Sequence, residues 1–80
     1  MIREVIDAHV MEDLLKAAAH LSRLGAPHFW IDYDAEADAL YVNFQKPQRA
    51  TESELLENGV IVRYRGDKLV GVVIFDASSR

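Results

Sequence analysis

Phe29-Trp30-Ile31-Asp32-Tyr33-Asp34-Ala35-Glu36-Ala37-Asp38-Ala39-Leu40-Tyr41-Val42-Asn43-Phe44 is the stretch that decides the fold. Phe29, Ile31 and Tyr33 alternate with Trp30 and Asp32, so residues 29–34 read as a strand with two unlike faces. Asp34-Ala35-Glu36-Ala37-Asp38 reads as a turn in which the Asp34 carboxylate accepts hydrogen bonds from amides just ahead of it. Leu40, Val42 and Phe44 then alternate with Tyr41 and Asn43, which makes a second strand and a hairpin. Lys46-Pro47-Gln48-Arg49 ends it, because proline cannot donate into a central ladder.

Downstream, Thr51-Glu52-Ser53-Glu54 has the spacing of a helix capping box, and Leu55-Leu56 follows it. Asn58-Gly59 closes the segment so soon that residues 51–57 read equally as a short helix or an edge strand. Val60, Val62 and Tyr64 alternate with Ile61, Arg63 and Arg65, and Gly66-Asp67-Lys68 turns the chain into a last strand over residues 69–76. Upstream, the period changes. Ile6, Val10, Leu14, Ala17, Leu21 and Leu24 recur at spacings of 4, 4, 3, 4 and 3, the stripe of one helix face. Gly25 suits a left-handed position after a helix and Pro27 blocks continuation, so a helix is predicted over residues 3–24.

The expected fold is therefore α+β, with the N-terminal helix packed on a four-stranded antiparallel β-meander of two hairpins. The last strand departs from alternation, because Leu69, Val70, Val72, Val73, Ile74 and Phe75 place apolar groups on both of its faces. Either that strand is central, or its second face meets another subunit. One helix can cover one face of a sheet. A homodimer is therefore expected, by sheet packing, helix packing or exchange of an element; the alternative is a monomer with an exposed apolar patch.

The composition bounds what such a chain does. It has 80 residues, a net charge of −4, 50% hydrophobic residues and 28% charged ones, which describes one small folded domain over residues 1–80. A domain of this size hides only roughly 60% of its unfolded surface, so the core is thin. Cysteine is absent, which removes disulfides, thiolate nucleophiles and cysteine-ligated zinc. Met1-Ile2-Arg3-Glu4 leads into acidic residues rather than a basic and then apolar leader, and the longest wholly apolar run is Val72-Val73-Ile74-Phe75. A cytoplasmic protein with no membrane partner is expected. The acidic balance argues against nucleic acid, whose phosphates are held by cations.

Candidate chemical sites are few. Asp32, Asp34, Glu36 and Asp38 alternate as the opening ligands of a calcium loop do. The pattern then fails, since Ala39 stands where the bend needs glycine and Gln45 where the loop needs a bidentate carboxylate. As general acids, Glu36 and Asp38 sit at a turn with nothing apolar to raise a pKa. His9 and His20 are eleven residues apart on the helix, about three turns, too far to share a metal within one subunit. No serine or threonine has a nucleophile elbow, and no glycine-rich loop opens a helix. No metal site, no catalytic residue and no cofactor is predicted. Trp30, Arg63 and Arg65 are the candidate interaction surface, since tryptophan and arginine are enriched among interface anchors.

Tyr33-Asp34-Ala35-Glu36-Ala37-Asp38-Ala39-Leu40-Tyr41-Val42 resembles the opening hairpin Y-D-x-E-A-D-x-L-Y-[IV] of the domain of unknown function 2283 family, small bacterial, archaeal and phage proteins. Asn58-Gly59-Val60-Ile61-Val62 and Val70-Gly71-Val72-Val73-Ile74-Phe75-Asp76-Ala77-Ser78 resemble that family's D-G-V-I-x-x-Y and V-G-[IV]-E-I-L-x-A-S stretches. The resemblance covers residues 29–79, leaves residues 1–25 as a helical extension, and rests on Tyr33, Asp34, Ala37, Asp38, Leu40, Tyr41, Gly59 and Gly71. Two departures stand out: Tyr64-Arg65-Gly66-Asp67 replaces the family's Y-D-x-D-G, and Val73 stands where relatives often carry glutamate. The resemblance implies a small β-meander without an established activity, with some relatives antitoxin-like partners of small toxins. The expected function is a non-catalytic protein-interaction module whose partner is a cognate toxin or another protein. The alternatives are a small metal-binding or hydrolytic domain built on Asp34, Glu36 and Asp38, and an RNA-binding accessory domain.

Overall fold

The computed structural model describes residues 4–47 and 49–80. Its elements run in the order α1 (Ala8–Leu21), β1 (Trp30–Asp34), β2 (Ala39–Asn43), β3 (Glu52–Leu55), β4 (Val60–Arg65), β5 (Lys68–Phe75) and a final 3-10 turn over Ala77–Ser79. The α+β class is as expected. The sheet is not a four-stranded meander: it has five antiparallel strands in the order β1-β2-β5-β4-β3. The last strand lies between the two hairpins, so β2 pairs with β5 and the chain crosses to the far edge to begin β3. Apolar groups on both faces of β5 thus have the first of their two explanations, a central position.

Of the two readings of residues 51–57 the strand holds, over Glu52–Leu55. The Thr51 hydroxyl, which a capping box would aim at the Glu54 amide, instead bonds across to β4, reaching the Tyr64 carbonyl at 3.4 Å and accepting from the Gly66 amide at 3.2 Å. Backbone bonds from Thr51 N to Tyr64 O (2.7 Å) and from Leu56 N to Val60 O (2.8 Å) close both ends of the β3–β4 pair. Asn58-Gly59 makes the turn, with Gly59 at φ +79° and the Asn58 side chain accepting from the Val60 amide at 3.2 Å. Glu52 and Glu54 occupy this edge strand, where charge deters pairing with another chain.

The helix is shorter than predicted. Its expected start at residue 3 lies outside the described residues, but residues 4–7 are not helical, and Asp7 caps α1 by accepting from the His9 amide at 2.8 Å. At the other end Ser22, Arg23 and Leu24 leave through single turns, before Gly25 at φ +80° redirects the chain. Nor is the helix packed on the sheet. No residue of α1 is buried, and Ile6, Val10, Leu14, Leu15 and Leu24 stay between 46% and 64% exposed. The molecule is 49 Å long by 26 by 24 Å, and its radius of gyration is 14.9 Å, against roughly 12 Å for a compact chain of this length. The linker after Leu24 leads α1 away from the strands instead of folding it over them.

Registration sorts the side chains onto two faces. Ile31, Val42, Val72 and Val62 form one row, and Tyr33, Leu40, Ile74 and Val60 the next, so one face is apolar across four strands. A bulge in β5 opposite Arg63 and Tyr64 inserts Val70, which is fully buried. The other face carries Trp30, Asn43, Gly71 and Arg63 in one row and Asp32, Tyr41, Val73 and Ile61 in another. The buried core is Ala39, Val42, Val70 and Val73, all on the central pair β2 and β5. It is as thin as the chain length implied.

Candidate functional site

The acidic run of the first hairpin resolves into a structural device. Asp34 Oδ1 accepts from the amides of Glu36 (3.1 Å) and Ala37 (3.3 Å) and so holds the turn. Asp38 closes the turn at φ 48°, a left-handed conformation that aspartate tolerates better than most residues. That conformation aims its carboxylate at the end of the chain. Asp38 Oδ1 accepts from the Tyr33 hydroxyl at 2.6 Å and from the Ser78 amide at 3.0 Å, and Oδ2 accepts from the Ser78 hydroxyl at 2.7 Å. The Ala77 amide also reaches the Asp38 carbonyl at 3.0 Å. The hairpin and the C-terminal turn, forty residues apart, are thereby pinned together at one carboxylate.

Those bonds set the electrostatics. Hydrogen bonds from Tyr33 and Ser78 favour the charged carboxylate and hold the Asp38 pKa below the usual aspartate range. The same bond to Asp38, with that residue's negative charge, raises the Tyr33 phenol. A general acid needs the opposite shift, so Asp38 is a poor proton reservoir. Among the described residues no three histidine, aspartate or glutamate side chains gather as a metal site would require. Asp34, Glu36 and Asp38 therefore do not converge on a common point, and the two aspartates spend their oxygens on the fold.

The remaining motif residues are also structural. Leu40 lies in an apolar row of the sheet, Tyr41 on the opposite face beside Val73, and Ala37 in the turn held by Asp34. Gly59 takes a positive φ, and a Cβ there would stand 3.1 Å from the Arg80 guanidinium. Gly71 sits between Asn43 and Arg63, buried in the sheet. Ser78 was not singled out from the sequence as a partner of Asp38. The signal for it was there, since the family-like closing stretch ends on that serine.

Trp30, Arg63 and Arg65 are brought to one face. Trp30 and Arg63 share a register row, separated by Asn43 and Gly71, about 14 Å apart at three strand spacings. Arg65 follows Arg63 on the same side and pairs with Lys68. The Lys46 ammonium stands 6.0 Å from the centroid of the Trp30 ring, the outer limit of a cation–π contact. Lys46, Arg63, Arg65 and Lys68 thus lie toward the Trp30 end of the sheet, with Asp32 beside the indole as an acid on the same face, while Asp34 and Glu36 mark the opposite end of β1. Two strands separate β1 from β4, so Arg63 does not meet Asp32 as a cross-strand neighbour.

Against known proteins, the sequence pattern of the family described as "Protein of unknown function (DUF2283)" matches residues 30–78, more than half of the chain, and the chain belongs to that family. Neither a curated protein nor a solved structure matches it. Among the described residues no helix is long and apolar enough to cross a membrane.

Proposed function

We propose that this member of the DUF2283 family is a non-catalytic protein-binding module, and that the sheet face carrying Trp30, Arg63 and Arg65 receives an acidic segment of a partner protein, as an antitoxin-like subunit would hold its toxin. The carrying observation is that Lys46 beside the indole, and Arg63, Arg65 and Lys68 across β4 and β5, share one end of the sheet in a chain whose net charge is −4. Local charge opposite to the net charge favours a complementary partner and steers its approach. The commitment of Asp34 and Asp38 to hydrogen bonds within the fold supports the non-catalytic side of this reading.

Trp30 is the only tryptophan, so its fluorescence reports on this face alone. The product of the adjacent reading frame, co-expressed with this chain, is expected to form a stoichiometric complex that shifts the Trp30 emission. Trp30→Ala and Arg65→Ala should each weaken it by roughly 30-fold or more, the scale of interface anchors. A complex indifferent to both substitutions would place the partner elsewhere. Turnover of a substrate that is lost in Asp34→Ala would replace the binding reading with an enzymatic one.

A second reading is favoured by the indole with Lys46 above it, which is also how single-stranded RNA is stacked and neutralised. Titration with a homopolymeric RNA separates the two. Quenching of Trp30 that fades steeply with salt would support RNA. An unchanged emission at low salt removes it.

A further inference from the structure

Two apolar surfaces have no cover among the described residues, and the one on the sheet is the face opposite Trp30. One is the stripe of α1, where Val10 and Leu14 are about half exposed and the neighbouring Met11 is 42% exposed. The other is the apolar sheet face, whose rows Ile31-Val42-Val72-Val62 and Tyr33-Leu40-Ile74-Val60 have no helix laid over them. The surface area measures the deficit. A folded monomer of 9.0 kDa exposes about 4,850 Å² by the size scaling of monomeric proteins. This chain exposes 6675 Å², an excess of about 1,800 Å² over that scale. A standard interface removes about 800 Å² from each partner, and an obligate homodimer roughly 1,000–2,500 Å² from each.

We propose that two copies exchange their N-terminal helices, each α1 lying across the apolar face of the other copy's sheet. The dimensions agree. Fourteen helical residues span about 21 Å, and five strands at their usual spacing span about 19 Å. The linker joins the sheet at the end where Leu24 and Pro27 border a cleft with Phe44 and Leu69, so α1 has its C-terminal end beside the sheet in a molecule 49 Å long. A second copy related by a two-fold axis supplies the missing layer to this chain and receives the same from it, as closed symmetry requires. The Glu12–Lys16 pair, on the polar side of the helix, remains in water. The exchange buries the helix stripe and the sheet face together, which accounts for an area deficit of obligate size. It uses the face opposite Trp30, so it stands independently of the partner-binding reading.

Light scattering after size exclusion is expected to give twice the 9.0 kDa of one chain at micromolar concentration. A monomer at every concentration up to 100 micromolar or so overturns the proposal. The lack of native cysteine makes the geometry directly testable. Leu14→Cys in one chain and Val62→Cys in another, mixed and oxidised, should give a mixed disulfide-linked dimer in preference to either like pair. A chain carrying both substitutions should give covalent dimers. Closure of that disulfide inside a single chain would mean that the helix folds onto its own sheet. A dominant Leu14→Cys like pair would mean that the helices pair with each other. Either result overturns the exchange. Leu14→Asp should convert the dimer to a monomer that keeps its β-sheet circular dichroism and its Trp30-face binding; persistence of the dimer in that variant also overturns it.

Discussion

The first hairpin and the helix carry the two strongest patterns in the sequence, and the fold treats them oppositely. The polar pattern of the hairpin is satisfied inside the chain, because Asp34 holds its turn and Asp38 gathers Tyr33 and Ser78. The apolar pattern of α1 is left largely uncovered among the described residues, since no residue of that helix is buried and only Ala17 and Leu21 are half-buried. Polar residues whose hydrogen bonds close locally read as architecture even when they look like a site. Apolar residues at a regular spacing with no local cover read as an interface even when they look like a core.

The largest expected effect tests that contrast through packing. Val70 is fully buried under the joined hairpins, and Val70→Ala removes about two methylene equivalents and leaves a cavity, at a cost of about 2 kcal/mol. For a domain of this size that corresponds to a fall in Tm of roughly 10 °C. Leu14→Ala, on the exposed stripe, should cost under about 0.5 kcal/mol in protein dilute enough to be monomeric, and more as concentration rises. Thermal unfolding at two concentrations a hundredfold or so apart measures both. If Leu14→Ala costs as much as Val70→Ala at every dilution, the helix is packed on its own sheet and the contrast collapses.

Much of the hairpin region was legible in the sequence, because alternation over residues 29–44 and 60–65 is a direct record of which side chains face which way. The place of β5 in the middle of the sheet was half legible. Its two apolar faces announced a buried position, but strand order depends on long-range pairing of β2 with β5, which no local pattern encodes. The edge strand was hidden because Glu52-Ser53-Glu54 has no apolar alternation and imitates a helix cap. What decides it is the backbone ladder to β4, closed by Thr51 N to the Tyr64 carbonyl thirteen residues on. The Asp38 lock was half legible, since the closing motif ends on Ser78, but its acceptor lies forty residues away and no local pattern joins the two. For the interaction surface, the sequence supplied Trp30, Arg63 and Arg65 as residue types, and only register places them on one face.

An intermediate effect follows from pH. The Asp38 carboxyl titrates below its unfolded value because Tyr33 and Ser78 donate to its charged form. Its stabilisation is complete above the ordinary aspartate range near pH 4, and is lost as pH falls from there through the depressed native value. Tyr33 is shifted the other way, so its contribution is complete below about pH 10 and is lost as pH rises further. Asp38→Asn should flatten the acid limb of a stability–pH curve followed by urea unfolding, and Ser78→Ala should flatten it in part. An acid limb identical in wild type and Asp38→Asn would show that the lock contributes nothing, and the hairpin would lose its side of the contrast.

The smallest effect belongs to the helix. Glu12 and Lys16 form an i,i+4 pair at 3.0 Å with both side chains more than 60% exposed. Glutamate on the N-terminal side is the favourable order for such a pair, yet water and salt screen it, so Glu12→Gln should cost only about 0.3 kcal/mol. Because the pair lies on the polar side of α1, this loss should be the same in monomer and dimer and should disappear near 1 M salt, where the Debye length is about 3 Å. A concentration-dependent loss would put Glu12 at the subunit contact and rotate the buried stripe of the helix away from Val10 and Leu14. The charged side of α1 thus fixes, by its indifference, which side of the helix the second copy covers.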